Sequence, residues 1–425
     1  MYLRRVRVKN IRTISELEWR ISPNKELAGW HVIIGDNGAG KSTFLRSIAL
    51  ALVGPREAYA LRQDWNDWLT RGKNSGDVRL EVIYNDSIDK FSGSGAIPDK
   101  KLLPVQIIFT RVQGEIELTK GPGNSDRHVW GGKSGWFSAS YGPFRRFAGG
   151  DKDAERIFLS NPKLASHLSV FGENVALSES IAWLKDLQYK KLEDKGSKEG
   201  KLLDSLTLFV NQEGFLPHQA RLDEVSSKGV EFVDGNGRQL LVEDLSDGYR
   251  STLSMTFELI RQLSKSYPLS NIFNEDSTKI IAPGVVLIDE VDAHLHPSWQ
   301  RQIGLWLRQH FPKMQFIVTT HSPLICQAAD VGTVYRLPKP GSVEPPGMLK
   351  GEELQRLLYG NVLDAYSTEM FGENITRSEE AQKLFQRLAE LNVKETFKKL
   401  TDSERKEQRE LRAAMPTSAH VLPPK

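Results

Sequence analysis

Eight residues near the start of the chain, GDNGAGKS from Gly35 to Ser42, carry the spacing G-x-x-x-x-G-K-S. They follow a short apolar run, WHVIIG, and open KSTFLRSIALALV, which has a helix's composition and a glycine, Gly54, just past its end. Strand, glycine-rich turn and helix together are the context in which this spacing wraps a phosphate. The glycines let the backbone curve, the amides turn inward, and the positive end of the helix faces the anion. The expected phosphate contacts are therefore Gly35, Asp36, Asn37, Gly38, Ala39, Gly40, Lys41, Ser42 and Thr43. Lys41 is expected to reach the β- and γ-phosphates and Ser42 to ligate Mg²⁺. The competing reading, a glycine turn capped by serine, needs neither the strand nor the helix.

Two more stretches complete a hydrolytic set. VVLIDE places Asp289 and Glu290 at the carboxyl end of an apolar strand. A nucleotide-hydrolysing site needs one carboxylate to hold Mg²⁺ and a second to take a proton from the attacking water. Asp289 is the expected metal residue and Glu290 the expected general base. FIVTTHSP ends a further apolar run on His321, at the sheet edge where ligands of open α/β sheets gather. His321 is placed to donate to the γ-phosphate, although a single histidine is more often a satisfied polar residue.

Positioning these groups requires a parallel sheet. APGVVLIDE, KMQFIVTTH and GTVYRLP read as strands, with PSWQRQIGLWLRQHF between the first two as a helix, the alternation of an α/β layer fold. Ahead of them, YLRRVRVKNI alternates apolar and basic residues, with LEWRIS as its hairpin partner. Residues 77–84, 103–110 and 114–118 read as further strands. From about Asp151 helices are expected: over 153–172, over SESIAWLKDLQY, over LLDSLTLFVNQEGF and over HQARLDEVSSK. A hairpin follows around VDGNGRQLLV. The proline-rich PKPGSVEPPG marks a boundary, beyond which helices are expected near 377–392 and 402–412. The expected division is an N-terminal lobe (1–145), a helical insertion (146–235), a C-terminal lobe (236–345) and a helical extension with a loose tail (346–425).

Bulk composition narrows the class. With 39% hydrophobic and 26% charged residues among 425, the chain reads as globular rather than disordered, and no apolar run is long enough to span a bilayer. The single cysteine, Cys326, excludes an internal disulfide and points to a reducing cytoplasm. A net charge of +3 is not that of a constitutive nucleic-acid coat. DAHLH offers His294 and His296 beside Asp292, but residues two apart do not share a helical face, so a loop capping the next helix is preferred to a zinc site.

Taken together these residues resemble the ABC-type ATPases of the RecF, OLD and SMC-like group: GDNGAGKS as its Walker A loop, VVLIDE as its Walker B strand, VDAHLHP as its D-loop and TTHSP as its switch histidine. LSDGYRS falls where that group carries its signature motif. The resemblance covers about 1–55 and 236–337 well and the middle loosely. It implies an ABC-type head with an antiparallel β subdomain, a short helical insertion and a C-terminal helical extension. It also implies ATP and Mg²⁺ as cofactors and a homodimer or higher oligomer formed through the heads. Ser246, Asp247 and Gly248 of one head would meet the γ-phosphate held by another. Asp247 and Tyr249 depart from the common Leu-Ser-Gly-Gly-Gln form, which argues against a transporter subunit. By the same resemblance Asp292 belongs to the D-loop and Arg12 touches the nucleotide. The insertion, with WFSASYGPFRRF at its start, is similar to those of anti-phage ATPases, nearest to the Septu PtuA-like group, with the PARIS ATPases as alternative. That implies a sensor or scaffold controlling a separate nuclease, of HNH type by preference. The alternative is a RecF-like DNA-repair ATPase with a basic groove including Lys133, Arg145 and Arg146.

Overall fold

Alternation in the first ten residues produces a strand, β1 (Tyr2–Ile11), with Leu3, Val6, Val8 and Ile11 buried. Its outward cations are neutralised across the sheet, Arg5 by Glu18 (2.6 Å) and Glu81 (3.1 Å) and Arg7 by Glu16 (2.6 Å). The computed structural model describes residues 1–61, 63–143, 160–172, 179–216, 219–360, 379–397 and 400–414. They form two units, residues 1–360 and the described part of 361–425.

In the first unit, β2 (Ile14–Arg20) pairs with β1, and β3 (Gly29–Ile34) leads through the glycine-rich loop into α1 (Lys41–Val53). Strands β4 (Ser75–Ile83), β5 (Leu102–Val112) and β6 (Glu115–Lys120) complete an antiparallel sheet of order β2-β1-β4-β5-β6. The chain then adds β7 (Ser138–Tyr141) and the helical pair α2 (Glu179–Glu193) and α3 (Lys198–Asn211). A small antiparallel sheet follows: β8 (Arg221–Val225), β9 (Val230–Val233) and β10 (Gln239–Leu241). Next come α4 (Asp247–Ser266), β11 (Gly284–Ile288), α5 (Pro297–His310) and β12 (Met314–Thr320). The unit closes with β13 (Gly332–Arg336), β14 (Gly347–Met348) and α6 (Gly351–Tyr359).

The central sheet has the order β14-β13-β3-β12-β11-β7, parallel except for β14. Every residue of β3, β11 and β12 is buried, as a parallel sheet covered on both faces requires. Register then positions the chemistry. Thr320 pairs with Ile34 and Val318 with Ile288, so the carboxyl ends of β3, β12 and β11 lie side by side. The expected α/β head with an antiparallel β subdomain is what the chain forms.

Three expectations change. Residues 218–228, read as a helix, contain β8 instead. Leu222 and Val225 alternate inward, and the Asn211 side-chain amide bonds both Leu222 N–H (2.7 Å) and Leu222 C=O (2.8 Å), so the strand's partners come from outside the segment. The four residues of β7, read only as the start of an insertion, form the edge of the central sheet against β11. They are small or buried by neighbours, and the ring of His167 bridges the hydroxyls of Ser138 (3.0 Å) and Ser140 (2.9 Å). The helix expected over 153–172 is, within its described part, two short turns, Pro162–Ala165 and Leu168–Phe171. Arg145 and Arg146 lie outside the described residues, while Lys133 is exposed.

The second unit contains α7 (Glu379–Phe397) and α8 (Asp402–Ala414), close to the expected positions. Leu388, Leu391, Leu400 and Leu411 form their shared core, and Arg387 joins Glu407 at 3.0 Å. Among the described residues no helix is long and apolar enough to cross a membrane.

Acid should loosen the first unit. Burial holds His31 and His128 at about 4 and His167 at about 3, all below the ordinary 6.5. The His31 ring donates to the Leu27 carbonyl (3.0 Å) and accepts from Thr333 (3.0 Å), contacts made as a neutral base. The unfolded chain binds protons at these rings below pH about 6.5 while the native chain does not, so stability is lost as the pH falls below that value. Urea midpoints at pH 8, 6, 5 and 4.5 should be level above about 6.5 and decline steadily below it.

Candidate nucleotide site

The loop after β3 needs glycine for two reasons. A Cβ at Gly35 would sit 2.8 Å from the Leu337 carbonyl oxygen, and Gly40 holds φ +93 beside the β1–β2 turn at Thr13 and Ile14. Ala39 N–H closes the turn on the Asp36 carbonyl (3.2 Å), and Phe44 N–H bonds Gly40 C=O (2.8 Å) as α1 begins. Asp36 faces Lys339 at 3.6 Å. Asn37 and Gly38 form the outer bend, Gly38 at φ +77, and Thr43 accepts from Ser47 through its carbonyl at 2.7 Å.

Lys41 folds back over this loop. Its buried ammonium donates to the carbonyls of Gly35 (2.8 Å) and Asp36 (3.0 Å), and lies 3.3 Å from His321 Nδ1. Burial lowers its affinity for the proton, and Glu290, Asp289, Asp292 and Asp36 oppose that shift. His321 is likewise held below its ordinary value, first by burial and then by the Lys41 charge. A neutral imidazole with Nδ1 turned to an ammonium keeps Nε2–H as a donor.

The metal-type oxygens converge on the same place. Ser42 Oγ donates to Asp289 Oδ1 at 3.0 Å, joining the first turn of α1 to the end of β11. Asp289 is buried, and its backbone N–H bonds the Tyr141 carbonyl at 2.8 Å. A hydroxyl and a carboxylate side by side are hard-oxygen donors of the kind Mg²⁺ prefers. Glu290 follows at φ +46, a left-handed backbone unusual for a non-glycine residue. Asp292 is held by Thr320 Oγ1 at 2.6 Å.

Sequence reading missed the hydroxyls that hold these acids. Thr319 Oγ1 donates to Asp289 Oδ1 (2.5 Å) and accepts from Glu290 N–H (2.8 Å). Ser322 donates to Gln300 Oε1 at 2.7 Å, tying the loop after β12 to α5. The signal was there: two adjacent threonines at the end of a mostly apolar buried strand must find partners.

Two further expected groups lie on other elements. Arg12, at φ +49, lays its guanidinium over the Trp68 ring at 4.5 Å, and burial and Arg46 lower its proton affinity. Ser246 is the exposed N-cap of α4, followed by Asp247 and Gly248 in the first turn. Ser246 and Gly248 line a cavity of about 580 Å³ with Tyr249, His294, His296 and Trp299, and no residue of the phosphate loop lines it. His296 caps α5 by accepting Ser298 N–H (3.3 Å), the capping reading preferred to a zinc site.

This geometry is that of a P-loop ATPase head. A family model described as "AAA domain" matches residues 5–227, and the chain belongs to that family. A second, described as an AAA domain and naming the AbiEii toxin and a type IV TA system, matches residues 153–327. Among curated proteins, the Septu protein PtuA of Bacillus mycoides (strain KBAB4) is 26% identical over 76% of this chain and 38% of its own length. The "Retron Ec83 probable ATPase" of Escherichia coli is 34% identical over 36% of this chain and 29% of its own. The chain thus spans less than two fifths of the length of these relatives. Among solved structures, an SMC head bound to the C-terminal winged-helix domain of ScpA covers 84% of this chain and 100% of that one, with TM-score 0.50 and 16% identity, a likeness of fold.

Proposed function

We propose that the chain binds ATP with Mg²⁺ and hydrolyses it to ADP and phosphate between two heads. The observation that carries this reading is the Ser42–Asp289 contact at 3.0 Å beside a Lys41–His321 contact at 3.3 Å. Magnesium bound with ATP would neutralise charge on the β- and γ-phosphates, held by Ser42 and Asp289. Lys41 adds a buried positive charge at the same phosphates, Glu290 takes the proton of the attacking water, and His321 donates to the γ-phosphate. Ser246 and Gly248 supply the phosphate contact from the second head, while Arg12 flanks the nucleotide. Lys41→Ala should lower phosphate release to background, at least about 100-fold, and weaken ATP binding. Wild-type turnover in that variant would sink the reading.

The role is that of a sensor or scaffold in an anti-phage complex that restrains a separate nuclease, of HNH type by preference. Similarity to a Septu protein and a retron ATPase over the head supports it. Co-purification with the products of neighbouring genes, followed by mass and nuclease measurements with and without ATP, tests it. Tight DNA binding with no co-purifying protein would count against it.

A further inference from the structure

Two adjacent acidic residues of the site share one hydroxyl partner. Asp289 and Glu290 form the turn that follows β11, and both are held by Thr319 on the neighbouring strand β12. Its Oγ1 lies 2.5 Å from Asp289 Oδ1, to which it donates, and 2.8 Å from Glu290 N, from which it accepts. The residue is fully buried, and the next peptide ties the strands again, Val291 N–H to Thr319 C=O at 3.0 Å. A hydroxyl has one proton, so donation to Asp289 and acceptance from Glu290 fix its rotor. Valine would match its shape and offer neither bond.

We propose that Thr319 is a positioning residue: it fixes the rotation of the Asp289 carboxylate toward Ser42, and holds the Glu290 peptide in the left-handed conformation that aims its side chain. The inference rests on the ATPase reading of this site and adds the group that orients it. Ser42 meets the same Oδ1 at 3.0 Å, so Thr319 braces the carboxylate from the strand side while Ser42 meets it from the helix side. Thr320, one residue on, does the same for Asp292 at 2.6 Å, so consecutive hydroxyls of one strand set both acidic positions of the loop. A buried hydroxyl with only a structural role would affect stability without separating metal binding from nucleotide binding.

The test compares Thr319→Val and Thr319→Ser in the full chain. Mn²⁺ affinity, read by electron paramagnetic resonance with ADP present, and kcat for ATP should each fall about 10- to 100-fold in Thr319→Val. Metal-free ATP affinity should change less than about twofold, because the phosphate loop is untouched. Thr319→Ser should restore Mn²⁺ affinity and kcat to near wild type. Wild-type Mn²⁺ affinity in a folded Thr319→Val, or a serine variant that keeps the threonine fold but not the metal affinity, would overturn the proposal. If Thr319→Val does not fold, Thr319→Ala takes its place with the same expectations. A wild-type chain that fails to turn over ATP would count against the ATPase reading instead, and the Mn²⁺ comparison would still decide the role of Thr319.

Discussion

Glu290→Gln should bind ATP and Mg²⁺ with near wild-type affinity yet turn it over at least about 100-fold more slowly. Glutamine keeps the size and hydrogen-bonding reach of the side chain but cannot accept a proton at pH 7. Its backbone bond to Thr319, at 2.8 Å, is unaffected, so the loop should keep its shape. With hydrolysis blocked, the nucleotide-bound assembly should persist: light scattering with ATP should give a dimer mass, reverting to the smaller species when ATP is withdrawn. Turnover within about threefold of wild type would remove Glu290 from the role of general base.

Ser246→Arg is the second large effect. On the proposed two-head reading, the exposed N-cap of this twenty-residue helix would present backbone N–H groups and the positive end of the helix to a phosphate brought from a second chain. An arginine there blocks that approach, so hydrolysis should fall to background while each chain still binds ATP at its own loop. Mixing separates the two-head site from a one-chain site. Lys41→Ala and Ser246→Arg chains are each inactive alone, but a heterodimer contains one intact loop facing one intact signature. Equal mixing should recover about a quarter of wild-type turnover, from half the dimers carrying one site of two. No recovery, with heterodimers shown by mass, would place the complete site within one chain.

The placement of the candidate site residues was legible in sequence where it depends on contiguous residues. Gly35 to Ser42 form one turn, so type and order alone imply what the loop does. Asp289 and Glu290 follow an apolar run and His321 another, which places each at a strand's carboxyl end, and the register of β3, β12 and β11 brings those ends together. Less legible were segments whose partners lie far along the chain. The strand β8 was read as a helix because its ladder partner and the Asn211 side chain that caps it lie outside the segment. The strand β7 went unseen because Ser-Ala-Ser-Tyr becomes a strand only when β11 is beside it.

Local order of residues thus determined the loop, the acidic strand end, the histidine and the α/β class, because these follow from short-range sterics and periodicity. Tertiary structure alone decided who holds whom: Ser42 on Asp289, Lys41 at His321, Thr319 clasping both acids and Arg12 resting on Trp68. Hydrogen bonds form at about 3 Å, and residues separated by up to 280 positions reach that distance only through the sheet.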